Sequence, residues 1–404
     1  MTNQELTYWV TLALMPKMWT RRKNEIYAKC FTSSPRISIV DLFEDSSVWG
    51  DLGLTQEEAD MFMEAHSQLA NNSFLVEDLL SQGYDILPIH SDDYPSVLKE
   101  NLKSAAPVVI FTKGNKLLLK EAAIAVVGSR NADDISLKFT DNVARSASSE
   151  KKVVVSGFAK GVDRQALDSA LECGGKSIIV LPQGIMTFSS GFRQYYKHIT
   201  QGRVLVMSSF APKAPWTKEF AMARNPIIYG MASEIYVAQS DNKGGTWSGV
   251  IDGLRKNRTI YVRHPEAGEK NANMELIAKG AVAVDLYGKV CEEQVPAARL
   301  SSESNGVASL WVCEAEAPAY SSAADEQKNV QAGDALKVSI VKLLSSGGTF
   351  GLKEIRLALN VQLSDAKLRS LMDSVPGVRK FKEGRRVLYC LISAQPDELT
   401  LDFE

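Results

Sequence analysis

IAVVGSRNADDISLKFTDNVARSASSEKKVVVSGFAKGVDRQALDSALECGGKSIIVLPQGI, residues Ile124–Ile185, decides the fold of this 404-residue chain. Three apolar runs, Ile124–Val127, Val153–Val155 and Ile178–Leu181, alternate with two segments of helical periodicity. The first two runs stop at Gly128-Ser129-Arg130 and at Ser156-Gly157. That pattern is a strand, a small polar turn and a helix start, repeated. A helix N-terminus carries unpaired N–H groups and a partial positive charge. Glycine lets an anion approach those groups, so each turn reads as a phosphate cradle. Further β-branched runs at Val204–Met207, Glu234–Val237, Thr259–Val262 and Val282–Val284 predict strands buried on both faces. The fold class is therefore α/β, with a Rossmann-like, mostly parallel sheet from about residue 122 to 290.

The flanks read differently. Residues 1–83 predict a helical domain: Gln4–Leu14 is a short core helix, and Thr55-Gln56-Glu57-Glu58 has the form of a capping box. Residues 84–121 are an extended lead-in punctuated by Pro88, Pro95 and Pro107, giving a core domain over 84–290. Residues 291–333, rich in Ala, Ser, Glu and Pro, read as a linker. Residues 334–392 have the order of a winged helix: three helical segments, the third capped by Ser364, then a hairpin of Val378–Phe381 and Val387–Leu391. An acidic tail, 393–404, follows.

The net charge of −2 hides a partition. Residues 1–121 hold 11 Lys and Arg against 17 Asp and Glu, whereas residues 122–290 hold 22 against 15. Residues 334–392 are again basic, 11 against 5. Two basic modules in an otherwise acidic chain point to a polyanionic partner. Five scattered cysteines without a CxxC predict a reducing, cytoplasmic setting and no structural zinc. Four isolated histidines give no metal cluster. No apolar run approaches the ~20 residues of a membrane span, and the N-terminus lacks a signal-peptide pattern.

Several ordered motifs carry a family resemblance. Asp93-Tyr94-Pro95-Ser96-Val97-Leu98, Pro107–Phe111 and Lys113-Gly114-Asn115 precede Val126-Val127-Gly128-Ser129-Arg130 and Ser156-Gly157-Phe158-Ala159-Lys160-Gly161-Val162-Asp163. Gly174-Gly175-Lys176, Arg224-Asn225-Pro226-Ile227-Ile228, Lys243-Gly244-Gly245-Thr246 and Asn273 through Ala281 follow. In this order, over about half of the chain, they resemble the DprA/Smf family of DNA-processing proteins. The resemblance implies a Rossmann-like domain that binds single-stranded DNA without hydrolysing it, homodimerisation through that domain, and a recombinase as protein partner. The chain also departs from the pattern. Leu167 stands where the family has His, Pro226 replaces the second Arg of Arg-Asn-Arg, and Phe188-Ser189-Ser190-Gly191 replaces a Tyr-Pro.

The candidate phosphate and single-stranded-DNA contacts are Gly128, Ser129, Arg130, Ser156, Gly157, Lys160, Gly161, Arg224, Asn225, Lys243, Gly244, Gly245 and Thr246. Asp163 is expected to cap a helix or orient a loop. Phe158, Phe192, Tyr195, Tyr196, Trp216, Phe220 and Trp247 are the aromatics near basic residues that could stack on bases. In the winged helix, Lys367, Arg369, Lys382, Arg385 and Arg386 are the candidate nucleic-acid contacts, with duplex DNA as their ligand. There is no GxxxxGK[ST], no GxGxxG after the first strand, and no Pro-Gly-Gly-x-Gly-Thr-x-x-Glu. The expectation is a binding protein with neither catalysis nor cofactor. Two alternatives stay open: an antitoxin or sensor of a phage-defence toxin–antitoxin module, and a nucleotide N-glycosidase or phosphoribohydrolase-like enzyme.

Overall fold

The computed structural model describes residues 1–291 and, beyond them, 340, 344, 350–351, 354–355, 358–359, 378–383 and 386–391. The chain divides into two compact units, Met1–Ser301 and Ser302–Glu404.

Six helices open the first unit: α1 (Asn3–Leu14), α2 (Thr20–Thr32), α3 (Ile39–Glu44), α4 (Val48–Leu52), α5 (Gln56–His66) and α6 (Leu69–Ser81). Capping boxes start three of them, Thr2 with Glu5, Ser38 with Asp41, and the predicted Thr55 with Glu58. Arg22 of α2 grips Glu58 from α5 through Nε at 2.6 Å and Nη2 at 2.9 Å. The apolar sides of these helices do not form a core of their own. Trp9, Leu12, Ile26 and Leu79 belong to one continuous cluster with Val109, Ile110 and Phe111 of the sheet.

That sheet has nine strands: β1 (Asp85–Pro88), β2 (Val109–Gly114), β3 (Ala123–Val127), β4 (Val153–Ser156), β5 (Ser177–Val180), β6 (Val204–Ser208), β7 (Glu234–Val237), β8 (Ile260–Arg263) and β9 (Val282–Val284). Their order is β1-β2-β6-β5-β4-β3-β7-β8-β9. The seven strands from β6 to β9 run parallel, and β2 joins β6 antiparallel with Phe111 opposite Ser208. The lead-in expected to be merely extended thus supplies two strands at one end of the sheet, β1 at its edge and β2 beside it. Strand β3 shows why its neighbours had to be β-branched. Ala123, Ala125 and Val127 face one core while Ile124 and Val126 face another, formed with Phe139, Val143 and Ala166. Alternate side chains point to opposite faces, so a strand covered on both sides is apolar throughout.

The connecting helices are α7 (Ser96–Leu102), α8 (Asp134–Ser149), α9 (Val162–Glu172), α10 (Ser189–Thr200), α11 (Lys218–Gly230), α12 (Gly245–Arg255) and α13 (Asn273–Ala278). From β3 the chain winds outward through β4, β5 and β6, then crosses back to lay β7 on the other side of β3. This reversal creates a crevice at the C-terminal ends of β3 and β7, where open α/β sheets bind ligands.

In the second unit, β10 (Phe350–Gly351), β11 (Val378–Glu383) and β12 (Arg386–Leu391) form an antiparallel sheet in the order β10-β12-β11. Glu383 pairs with Arg386, so the hairpin is longer than expected, and Lys382 and Arg386 sit on paired strands rather than in the connection. Ile340, Leu344, Ile355 and Tyr389 are buried. The three helical segments of the winged-helix expectation lie largely outside the described residues. Lys367, Arg369, Arg385, the linker and the acidic tail lie outside the described residues.

Candidate nucleic-acid site at the strand crossover

The two glycine turns meet as expected. Gly161, the N-cap of α9, has φ +77° and ψ −130°, and a Cβ placed there would lie 2.4 Å from the Ser129 carbonyl oxygen. Only glycine allows this backbone geometry and this approach together. The Val162 N–H donates to the same carbonyl at 3.3 Å. The first turn, however, does not lead straight into a helix. Helix α8 starts at Asp134, capped by the Asp133 carboxylate on the Ser136 N–H at 2.7 Å. Gly128–Ala132 is instead a loop tied to the far side of the crevice. The Ser129 N–H donates to the Gln239 carbonyl at 2.9 Å, and the Asp133 N–H to Gln239 Oε1 at 3.0 Å.

A cavity of about 400 Å³ opens between these walls. Gly128, Ser129 and Arg130 form one side, and Lys243, Gly244, Gly245 and Thr246 the other. Gly244 (φ +95°) and Gly245 turn the chain into α12, whose first N–H groups face the crevice end of the sheet. Asn225 lines the same cavity, and its amide packs against Gly245, where a Cβ would come within 2.7 Å of Nδ2. A second cavity of about 300 Å³ adjoins it, lined by Phe158, Lys160, Leu181, Pro182 and Phe188. Arg130, Ala159, Trp216 and Arg224 line both. Together the walls carry five cations, Arg130, Lys160, Lys218, Arg224 and Lys243, against two carboxylates, Asp163 and Asp241.

Arg224, a candidate phosphate contact, is buried in the structure. It is 3% exposed at the crevice floor. Nη1 donates to the Val180 carbonyl at 2.9 Å, Nη2 stands 3.9 Å from Asp163 Oδ2, and Nε has no partner. Burial lowers the pKa of Arg224, and burial raises that of Asp163 against the pull of Arg224 and Arg130. The backbone N–H groups of Ala159 and Gly157 also pull the Asp163 pKa down. The pair explains Gly157, since a Cβ there would fall 1.8 Å from Arg224 Nη1. Ser156 lines neither cavity: it is fully buried and its hydroxyl donates to the Val126 carbonyl at 2.6 Å. Gly157 and Gly161 likewise shape the loop without lining either cavity. Leu167, at the place of the family's histidine, is a core residue.

Sequence reasoning missed the framework behind the crevice. Asn273 is fully buried; its Nδ2 donates to the carbonyls of Ala238 (3.0 Å) and Arg263 (2.9 Å), and its Oδ1 accepts from the Ser240 N–H at 3.0 Å. Arg263, also buried, reaches the Ala238 carbonyl, Ser136 and Glu269. These two side chains hold the loop after β7 that forms one lip of the site. The only sequence signal was an Asn at the head of a motif.

The family model of DNA recombination-mediator protein A matches residues 85–294, which is the nine-stranded sheet from its first strand to just past its last. The chain belongs to this family. A DprA from Streptococcus pneumoniae is 32% identical over 201 residues, covering 50% of this chain and 69% of that protein. One from Bacillus subtilis is 27% identical over 225 residues, covering 53% and 74%. The crystal structure of the pneumococcal DprA superposes with a TM-score of 0.57 at 27% identity, over 70% of this chain and 95% of that one. The DprA resemblance read from the motifs is therefore a family membership, and the mostly parallel sheet is the family's fold. Among the described residues, no helix is long and apolar enough to cross a membrane, and no group of three or more His, Cys, Asp or Glu could hold a metal.

Proposed function

We propose that this DprA-family protein binds single-stranded DNA through its phosphates at the strand crossover, as a mediator of DNA recombination, and does not turn the strand over. The observation that carries the reading is the charge of the paired cavities: five cations against two carboxylates at the ligand-binding edge of a basic α/β domain. The relatives are named DNA processing proteins, and the family description names recombination. Glycine-built turns, a helix N-terminus and fixed cations stabilise a phosphate. The walls offer no histidine to transfer a proton near neutral pH. The basic hairpin of the second unit is the proposed second contact, with duplex DNA as its ligand. Dimerisation through the sheet domain and capture of a recombinase complete the proposal.

Fluorescence anisotropy with a labelled oligo(dT) tests it. The logarithm of the affinity falls linearly with the logarithm of salt, with a slope of about −0.7 per phosphate engaged. Arg130→Ala and Lys243→Ala each weaken binding by about 1–3 kcal/mol, the range for a charged hydrogen bond. Affinity that ignores salt, or a folded double variant that binds as the unaltered protein does, removes the proposed site. The oligonucleotide emerges uncut with or without Mg²⁺; cleavage abolished by these variants would overturn the non-catalytic reading.

A further inference from the structure

Of the seven aromatic side chains that neighbour basic residues in the sequence, two, Phe158 and Trp216, line the cavities. Phe158 has Arg164 at 3.7 Å over its ring and the edges of Phe188 and Tyr195 against it. Phe220 is stacked on Phe210 at 4.3 Å with the rings 19° from parallel. Trp247 packs against the core, and Tyr196 is exposed but lines neither cavity. Trp216 alone of the seven is both half-exposed, at 49%, and part of the wall between the two cavities.

Its backbone is fixed on both sides. Before it, the Gly184 N–H donates to the Ala214 carbonyl at 2.9 Å and the Met186 N–H to the Pro212 carbonyl at 3.0 Å. After it, Thr217 caps α11, accepting from the Phe220 N–H at 3.0 Å. The Arg130 guanidinium stands 6.0 Å from the Trp216 ring centroid. An indole held on rigid backbone beside a phosphate-binding cation suits a nucleobase whose own phosphate rests on that cation. The neighbouring cavity, walled by Leu181, Pro182 and Phe188, offers apolar surface to the face of a base.

We infer that Trp216 is a base-stacking platform set between two successive nucleotide positions, so that the site selects a base-bearing single strand over other polyanions. This rests on the phosphate reading above. A stack of this kind is sequence-tolerant because every base has a π-face.

The test compares oligo(dT) with an abasic oligomer of equal length on the full chain. The unaltered protein binds the abasic strand roughly tenfold more weakly, in the range of one lost stack. Trp216→Ala binds both strands alike, at the weaker level. Trp216→Phe, which keeps the fold and a smaller ring, retains most of the preference and loses the part of the tryptophan quenching that oligo(dT) produces at this position. The inference fails if Trp216→Ala keeps the preference for oligo(dT), or weakens both strands equally. In those cases an Arg130→Ala protein that binds both strands poorly leaves the phosphate reading standing. An Arg130→Ala protein that binds both as the unaltered chain does removes the reading and the inference together.

Discussion

Gly161→Ala isolates what the meeting of the two turns contributes. The residue has φ +77° and ψ −130°, the mirror image of extended backbone, which costs a residue with a Cβ about 1–3 kcal/mol. The new methyl would also fall 2.4 Å from the Ser129 carbonyl oxygen and 2.8 Å from that of Arg130, roughly 1 Å inside ordinary contact. Both obstacles are backbone, so no rotamer relieves them, and the Ser129-Arg130 loop must move away. Forcing that shift adds about 1–3 kcal/mol. Gly174→Ala is the matched control: its φ is +84°, but nothing lies within 4 Å of the added carbon, so it carries only a left-handed penalty of about 1–2 kcal/mol. Urea denaturation with oligo(dT) anisotropy on the same samples reads both effects. Gly161→Ala is expected to lose about 2–6 kcal/mol and at least tenfold in affinity. Gly174→Ala loses less stability and no affinity. Equal stability and equal binding in the two variants would refute the claim that the turns are held together by this contact.

Asn273→Ala removes the acceptor of the Ser240 N–H and one donor each from the Arg263 and Ala238 carbonyls, the latter still held by Arg263 Nε, a loss of about 1–3 kcal/mol. Hydrogen exchange at residues 238–241 should speed up while that of α8 stays slow; unchanged exchange there would mean that the lip is held by other means. Arg22→Ala tests the helical layer by pH. Hydrogen bonds from Arg22, opposed by burial and aided by the Thr55 N–H, lower the Glu58 pKa from 4.5 to about 2. A lowered carboxylate pKa stabilises the fold above the unfolded value and loses that contribution as pH falls through the folded one. The stability gap between the unaltered protein and Arg22→Ala is therefore constant above pH 5 and closes between about 4.5 and 2; a gap that persists to pH 2 contradicts it.

The sheet was legible where burial dictated composition. Glu234–Val237 and Val282–Val284 are strands with the bounds read from the sequence, as expected of short, largely apolar runs in a sheet covered on both faces. Strands β1 and β2 were read only as extended pieces. Apolar runs reveal a strand but not its partner, and an antiparallel partner far along the chain, as Ser208 is from Phe111, leaves no periodic trace. At the site, the glycines and cations were legible as motifs. The burial of Arg224 was not, since an arginine on a helix that covers a sheet carries no local mark of facing inward. Helix α8 starts after its Asp133 cap and not at the glycine turn, because a glycine turn and a helix entrance carry the same small polar residues in sequence.

The crossover has a consequence for synthesis. The two lips of the crevice join through the Ser129–Gln239 and Asp133–Gln239 hydrogen bonds, the second spanning 106 positions along the chain. A ribosome making about 5–20 residues per second delivers the first lip several seconds before the second. During that interval β3 has β4 on one side and an unpaired edge on the other, and the cations after β3 have no opposite wall. Nascent chains that have not yet reached β7 therefore lack the second wall of the crevice. The crevice is completed late and in one step, when β7 docks beside β3.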